Sequence, residues 1–111
     1  MSRKTKVLVI GLDCAGPELV FDRFKDELPN LSAMIDNGIY GELESCHPPI
    51  TIPEWAVMFT GKNPGKLGLY GFRHRKGNSY TDFYIATSHF VKEPTVWDIA
   101  SKYGKKPCVV G

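Results

Sequence analysis

The chain has 111 residues, 42% of them hydrophobic and 23% charged, and its 14 Lys and Arg against 12 Asp and Glu leave a formal net charge of +2. That length suits one soluble domain or a piece of a larger one, and the charge is too small to define a nucleic-acid or membrane-surface protein. No apolar run approaches the roughly 20 residues that span a bilayer, and the polar start Met1-Ser2-Arg3-Lys4 leads into a strand pattern rather than a leader, so a cytoplasmic chain without a membrane partner is expected.

Residues 6–13, Lys-Val-Leu-Val-Ile-Gly-Leu-Asp, form a continuous apolar run ending in a carboxylate, the pattern of a central strand buried on both faces of a parallel sheet. Pro17 followed by Glu18, Leu19, Val20, Phe21 and Phe24 predicts a short helix, and residues 30–38 predict another, capped by Asn30 and closed by Gly38. Alternation of Ile39, Gly41, Leu43 and Ser45 with Tyr40, Glu42 and Glu44 predicts a second strand. The prolines of His47-Pro-Pro-Ile-Thr-Ile-Pro53 stiffen a loop, and Pro53 opens a helix through Thr60 that Gly61 ends.

Residues 62–90 hold turn signals at Asn63-Pro64-Gly65 and Gly77-Asn78 among many aromatics, an irregular excursion with one or two short strands. A helix is predicted from Pro94 to Tyr103, closed by Gly104, and residues 106–111 begin another buried strand. The order of elements is α/β with partly parallel pairing. A core strand starting at the last residues predicts a longer polypeptide, and the unpaired sheet edge predicts a tendency to self-associate.

Several motifs fail on chemistry. Gly61-Lys-Asn-Pro-Gly65-Lys66-Leu67 has three residues between its glycines where a phosphate loop has four, and Leu67 where Ser or Thr must hold magnesium. Gly11-Leu-Asp-Cys-Ala-Gly16 places Asp13 where a dinucleotide fingerprint needs glycine. Cys14, Cys46 and Cys108 are widely spaced with no C-x-x-C, so reduced and mostly buried thiols are expected. His47, His74 and His89 lack metal-ligand spacing. Lys62, Lys66, Arg73, His74, Arg75 and Lys76 form a basic stretch without acids; a solvated loop explains it, and the competing reading is a non-catalytic phosphate or nucleic-acid binding domain built on loop 62–90.

Two residues carry more. Asp13 ends the first strand, at the sheet edge where α/β proteins bind ligands, and Thr51 stands immediately before a helix whose unpaired amides favour negative charge near its hydroxyl. A carboxylate and a hydroxyl so placed suit a metal-activated nucleophile, and equally a strand-end aspartate and a capping threonine.

Val9-Ile-Gly-Leu-Asp-Cys-Ala-Gly-Pro17 and the stretch from Pro48 to Phe72, Pro-Pro-Ile-Thr-Ile-Pro-Glu-Trp-Ala-Val-Met-Phe-Thr-Gly followed by Lys-Asn-Pro-Gly-Lys-Leu-Gly-Leu-Tyr-Gly-Phe, resemble the amino-terminal part of the type I phosphodiesterase/nucleotide pyrophosphatase branch of the alkaline phosphatase superfamily. The resemblance extends through Thr95-Val-Trp-Asp-Ile-Ala100 to Gly111 and covers essentially all of residues 1–111. It implies a three-layer α/β/α fold, present here in part, and a hydrolase of phosphate esters using two divalent metal ions, usually zinc. By position it makes Asp13 a metal ligand and Thr51 both nucleophile and metal ligand. The remaining ligands come later in the family pattern than residue 111, so the isolated chain is expected to show little catalysis.

The chain departs from that pattern in two places. Phe72, 21 residues after Thr51, stands where many nucleotide pyrophosphatases have an asparagine that contacts the phosphoryl oxygen, and Cys14 stands where glycine often follows the aspartate. A sulfatase-like pattern would want Cys or Ser at position 51 with Arg four residues on, where this chain has Thr51 and Trp55.

Overall fold

The computed structural model describes residues 5–111, so the polar start at residues 1–4, read above as lacking a leader, lies outside it. The chain forms two compact units, the first ending at Leu43 and the second running from Glu44 to Gly111. Among the described residues no helix is long and apolar enough to cross a membrane.

In the first unit Pro17 leads into a π-helical turn, Glu18–Arg23, and a 3₁₀ turn, Lys25–Glu27, in place of one regular helix. Helix α1 follows at Pro29–Asn37. Pro29 loses no hydrogen bond at the first helical position, where the amide has no intrahelical acceptor. The helix therefore starts one residue before the predicted cap, with Leu28 preceding it and Asn30 inside it. The Ser32 hydroxyl donates to the Lys25 carbonyl, and Phe21 meets Tyr40 edge-on with centroids 5.0 Å apart. Gly38 leaves the helix in extended conformation, φ −129°, and a Cβ there would stand 2.7 Å from the Met34 carbonyl oxygen.

The three apolar segments predicted as strands are not paired: among the described residues the sheet is two-stranded, and none of residues 6–13, 39–45 or 106–111 belongs to it. Their apolar side chains are exposed, Val7 at 83% and Val110 at 92%. A strand exists only through hydrogen bonds to a neighbour, and the apolar pattern records a tendency to be buried, which no described segment satisfies here. The parallel sheet is thus absent from these residues, whose mixture of helices and one hairpin is compatible with part of an α/β fold.

The second unit is built on α2, Thr51–Thr60, followed by α3, Pro64–Leu67. The start of α2 lies two residues before the predicted opening at Pro53, which costs nothing because proline is tolerated throughout a first turn whose amides lack acceptors. Gly61 closes it at φ 65°, its amide donating to the Val57 carbonyl at 2.8 Å. The predicted turn at Asn63-Pro64-Gly65 is a capped helical turn, with the Asn63 side chain accepting from the Lys66 amide at 2.8 Å and Gly68 ending it at φ 67°. Strands β1, Arg73–Arg75, and β2, Phe83–Ile85, pair antiparallel with His74 opposite Tyr84, so the excursion holds two short strands. A 3₁₀ turn, Ser88–Phe90, leads to α4, Val96–Lys102, and Gly104 follows at φ 71°.

The core of this unit is small: Ala56 from α2, Leu67 from α3, Leu69, and Ala86 just after β2, with Ile52, Val57 and Val91 packed around them. The Ala86 amide donates to the Phe72 carbonyl at 2.9 Å, tying the hairpin to the segment that carries Leu69. Leu69 is 2% exposed, and burying a leucine stabilises by about 1.5–3 kcal/mol. Leu69→Ala is expected to cost about 2–5 kcal/mol, read as a fall in the urea midpoint; a loss below about 1 kcal/mol would show that this cluster does not hold the unit together.

Helix α4 carries a reciprocal cap. The Thr95 hydroxyl and amide donate to the Asp98 carboxylate at 2.6 and 2.8 Å, and the Asp98 amide lies 3.4 Å from the Thr95 hydroxyl. These two donations hold the Asp98 pKa below its ordinary value. A depressed folded pKa means that the contribution is present above the unfolded pKa and is lost as pH falls through the folded one. Asp98→Asn should therefore flatten the acid limb of the stability profile below about pH 4, measured by urea titration at successive pH values, while leaving its neutral shape intact.

Candidate functional site

Thr51 is the first residue of α2. The amides of Thr51 and Ile52 have no intrahelical acceptor, Pro53 brings no amide, and Glu54 is the first to donate, to the Ile50 carbonyl at 3.0 Å. Glu54, in the first turn, accepts a hydrogen bond from the Ser45 hydroxyl. Among the described residues no side-chain hydrogen bond engages the Thr51 hydroxyl, so it does not serve as the helix cap. The result is a half-buried hydroxyl at the positive end of a ten-residue helix dipole.

Thr51 also lines an open groove of about 490 Å³. Its floor is apolar, with Ala56, Leu69 and Ala86, and three aromatic rings wall it. Trp55 stacks on Phe59 with centroids 5.5 Å apart and 19° between planes, and Phe59 meets Trp97 at 4.8 Å and 57°. Threonine and rings at positions 51, 55 and 59 recur at the four-residue step that keeps side chains on one helix face. Sequence reasoning treated Trp55 only as a non-arginine and Trp97 only as an apolar helix residue; the four-residue spacing from Thr51 was the available signal.

Asp13 lies in the first unit and Thr51 in the second. The Asp13 carboxylate is exposed on a turn, with the Cys14 thiol donating to Oδ1 at 3.7 Å. Cys14 adopts φ 60°, the left-handed region, and the Gly16 amide donates to its carbonyl at 3.0 Å. The position after the aspartate thus has the backbone that glycine enters without cost. The crowding expected from the sequence is located here as backbone geometry.

All three cysteines are free, and Cys14 and Cys108 are exposed rather than buried, because both sit in or beside the unpaired apolar segments. As to metals, a carboxylate and a hydroxyl are hard oxygen donors that suit a divalent cation, but two donors are only part of a ligand set. Among the described residues no group of three His, Cys, Asp or Glu is placed to hold an ion.

Much of the basic stretch is engaged internally. Arg75 lies over the Tyr80 ring at 4.5 Å, His74 stacks on Tyr84 and donates to the Gly71 carbonyl at 3.2 Å, and Lys66 pairs with Glu93 at 3.6 Å. The phosphate-loop resemblance is likewise spent, since the Lys66 amide serves the Asn63 cap.

These features, a hydroxyl at a helix N-terminus beside an apolar groove and a carboxylate on a turn, define the class of small α/β-type segments that carry hydrolytic chemistry. The model of the family "Type I phosphodiesterase / nucleotide pyrophosphatase" matches residues 7–110, and the chain belongs to that family. Its members are hydrolytic enzymes, generally metal-dependent, that act on phosphate esters. No curated protein and no solved structure matches the chain.

The left-handed backbone at Cys14 costs a non-glycine residue about 1–2 kcal/mol. Cys14→Gly is expected to leave stability unchanged or raise it by up to about 1 kcal/mol, and Cys14→Val to lower it by more than about 1 kcal/mol. Equal effects of the two substitutions in denaturant titration would show that the turn is not left-handed.

Proposed function

We propose that the chain is the amino-terminal part of an alkaline-phosphatase-like α/β/α catalytic domain that hydrolyses phosphate esters, with Thr51 as nucleophile and Asp13 and Thr51 as ligands of one of two metal ions. Family membership over residues 7–110 supports the reaction class. The observation that supports the residue assignment is the hydroxyl of Thr51 at the first position of α2, beside two amides without helical acceptors. The remaining ligands of a two-metal, zinc-type site are proposed to lie outside these residues. Exposure of Val7, Leu8, Val9 and Ile10 supports the proposal that residues 6–13 join a sheet in that larger domain.

In this reading Thr51 Oγ attacks phosphorus. The Oγ–P bond forms as the bond to the leaving oxygen breaks, the hydroxyl proton passes to solvent, and the leaving alkoxide takes a proton from water. Water then cleaves the phosphothreonine ester and frees the hydroxyl. The amides of Thr51 and Ile52 are positioned to donate toward a phosphoryl oxygen, and the helix dipole favours its charge. Bound divalent ions would supply a lowered hydroxyl pKa and positive charge opposite the phosphoryl oxygens.

In the natural protein supplied with zinc, Thr51→Ala is expected to lower turnover of bis(p-nitrophenyl) phosphate by about 10³-fold or more with the circular-dichroism spectrum retained. Thr51→Ser should keep measurable turnover, and Asp13→Asn should raise the zinc concentration needed for half-maximal rate. Unchanged turnover in Thr51→Ala would overturn the assignment.

A further inference from the structure

The groove beside Thr51 bears on which esters the site accepts, an inference that rests on Thr51 being the nucleophile. In-line displacement puts the leaving group on the far side of phosphorus from Thr51 Oγ, so a surface on the same helix face as Thr51 faces a substituent that stays on phosphorus. One helical turn is about 5.4 Å, which places the Trp55 side chain within reach of that retained substituent. A phosphomonoester has no such group and a diester has one.

The lining specifies the chemistry of that group. The volume of about 490 Å³ falls within the range of small-molecule sites, and the surface is an apolar floor with three rings. Trp55 and Phe59 present stacked faces, an arrangement that extends to a third planar ring. The charged residues lining the groove are Glu93 and Asp98, both acidic. Glu93 is paired with Lys66, and Asp98 is occupied by its cap with Thr95. A polyphosphate tail would meet carboxylates there without a compensating cation, whereas a neutral ring would meet stacking faces and an apolar floor.

We propose that the groove holds the retained ester substituent of a phosphodiester, that this substituent is a neutral planar ring, and that Trp55 is the residue that selects it. The site is then a diesterase for esters carrying an aromatic group, with monoesters and nucleoside polyphosphates as poor substrates.

Two measurements on the natural protein test this. The first compares kcat/KM for phenyl p-nitrophenyl phosphate and methyl p-nitrophenyl phosphate, which share a leaving group and differ only in what is retained. Wild type should prefer the phenyl ester by about tenfold to a hundredfold, Trp55→Ala should bring the ratio near one, and Trp55→Phe should restore most of it. The second is quenching of tryptophan fluorescence by diphenyl phosphate, expected to saturate in wild type and to be absent with dimethyl phosphate. A phenyl-to-methyl ratio unchanged in Trp55→Ala, or equal quenching by the two phosphates, would overturn the groove assignment. Saturable quenching by diphenyl phosphate without turnover of any ester would keep the groove and overturn the nucleophile, so the two failures are separable.

Discussion

The packing of α2 against Leu67, Leu69 and Ala86 is the constraint on which the second unit depends. Ala56 and Pro53 are buried in it, so one face of the helix is committed inward, and the neighbouring stripe with Thr51, Trp55 and Phe59 is left to form the groove wall. Left-handed glycines at 61 and 68 end two successive helices within a few residues and bring Leu69 back beneath α2. The hairpin then returns Ala86 to the same cluster through its bond to Phe72. A core of four residues stabilises modestly by area, and it orients everything that the site uses.

Local chemistry in the sequence was enough for the helices of this unit and for the hairpin. Gly61 and Gly104 mark helix ends because glycine takes φ above zero without a Cβ clash, and both do so. Thr95 and Asp98, three apart, form the cap that such spacing allows. Helix starts were less legible: proline is permitted at any early position, and α1 and α2 each begin ahead of the residue that signalled them. The strands at 6–13, 39–45 and 106–111 were misjudged for a different reason. A helix closes its hydrogen bonds within itself, whereas a strand borrows them from a partner that no run of Val and Ile can guarantee.

Of the candidate site, Thr51 was legible because Pro49-Ile-Thr-Ile-Pro53 combines a stiff loop with a helix start, and the structure places it at that start. Asp13 was legible as the polar end of an apolar run, but its neighbour's left-handed backbone was visible only as a departure from a glycine pattern. The aromatic wall was overlooked because Trp97 comes from a helix 37 residues after α2 ends, and a groove shared by two helices leaves no periodic mark in either.

Because Thr51, Trp55 and Phe59 share one helix stripe, their mutual placement is a matter of reading frame along α2 as much as of identity. Each residue advances an α-helix by about 100°, so inserting or deleting one amino acid between 51 and 59 would swing the rings to the side of the helix and leave the hydroxyl facing a blank wall. Descendants of this chain can exchange the size and polarity of the residues at 55 and 59 one at a time. They cannot change the length of the intervening segment without dismantling both the inward-packed face and the groove together, which makes α2 a segment free to vary in composition and locked in count.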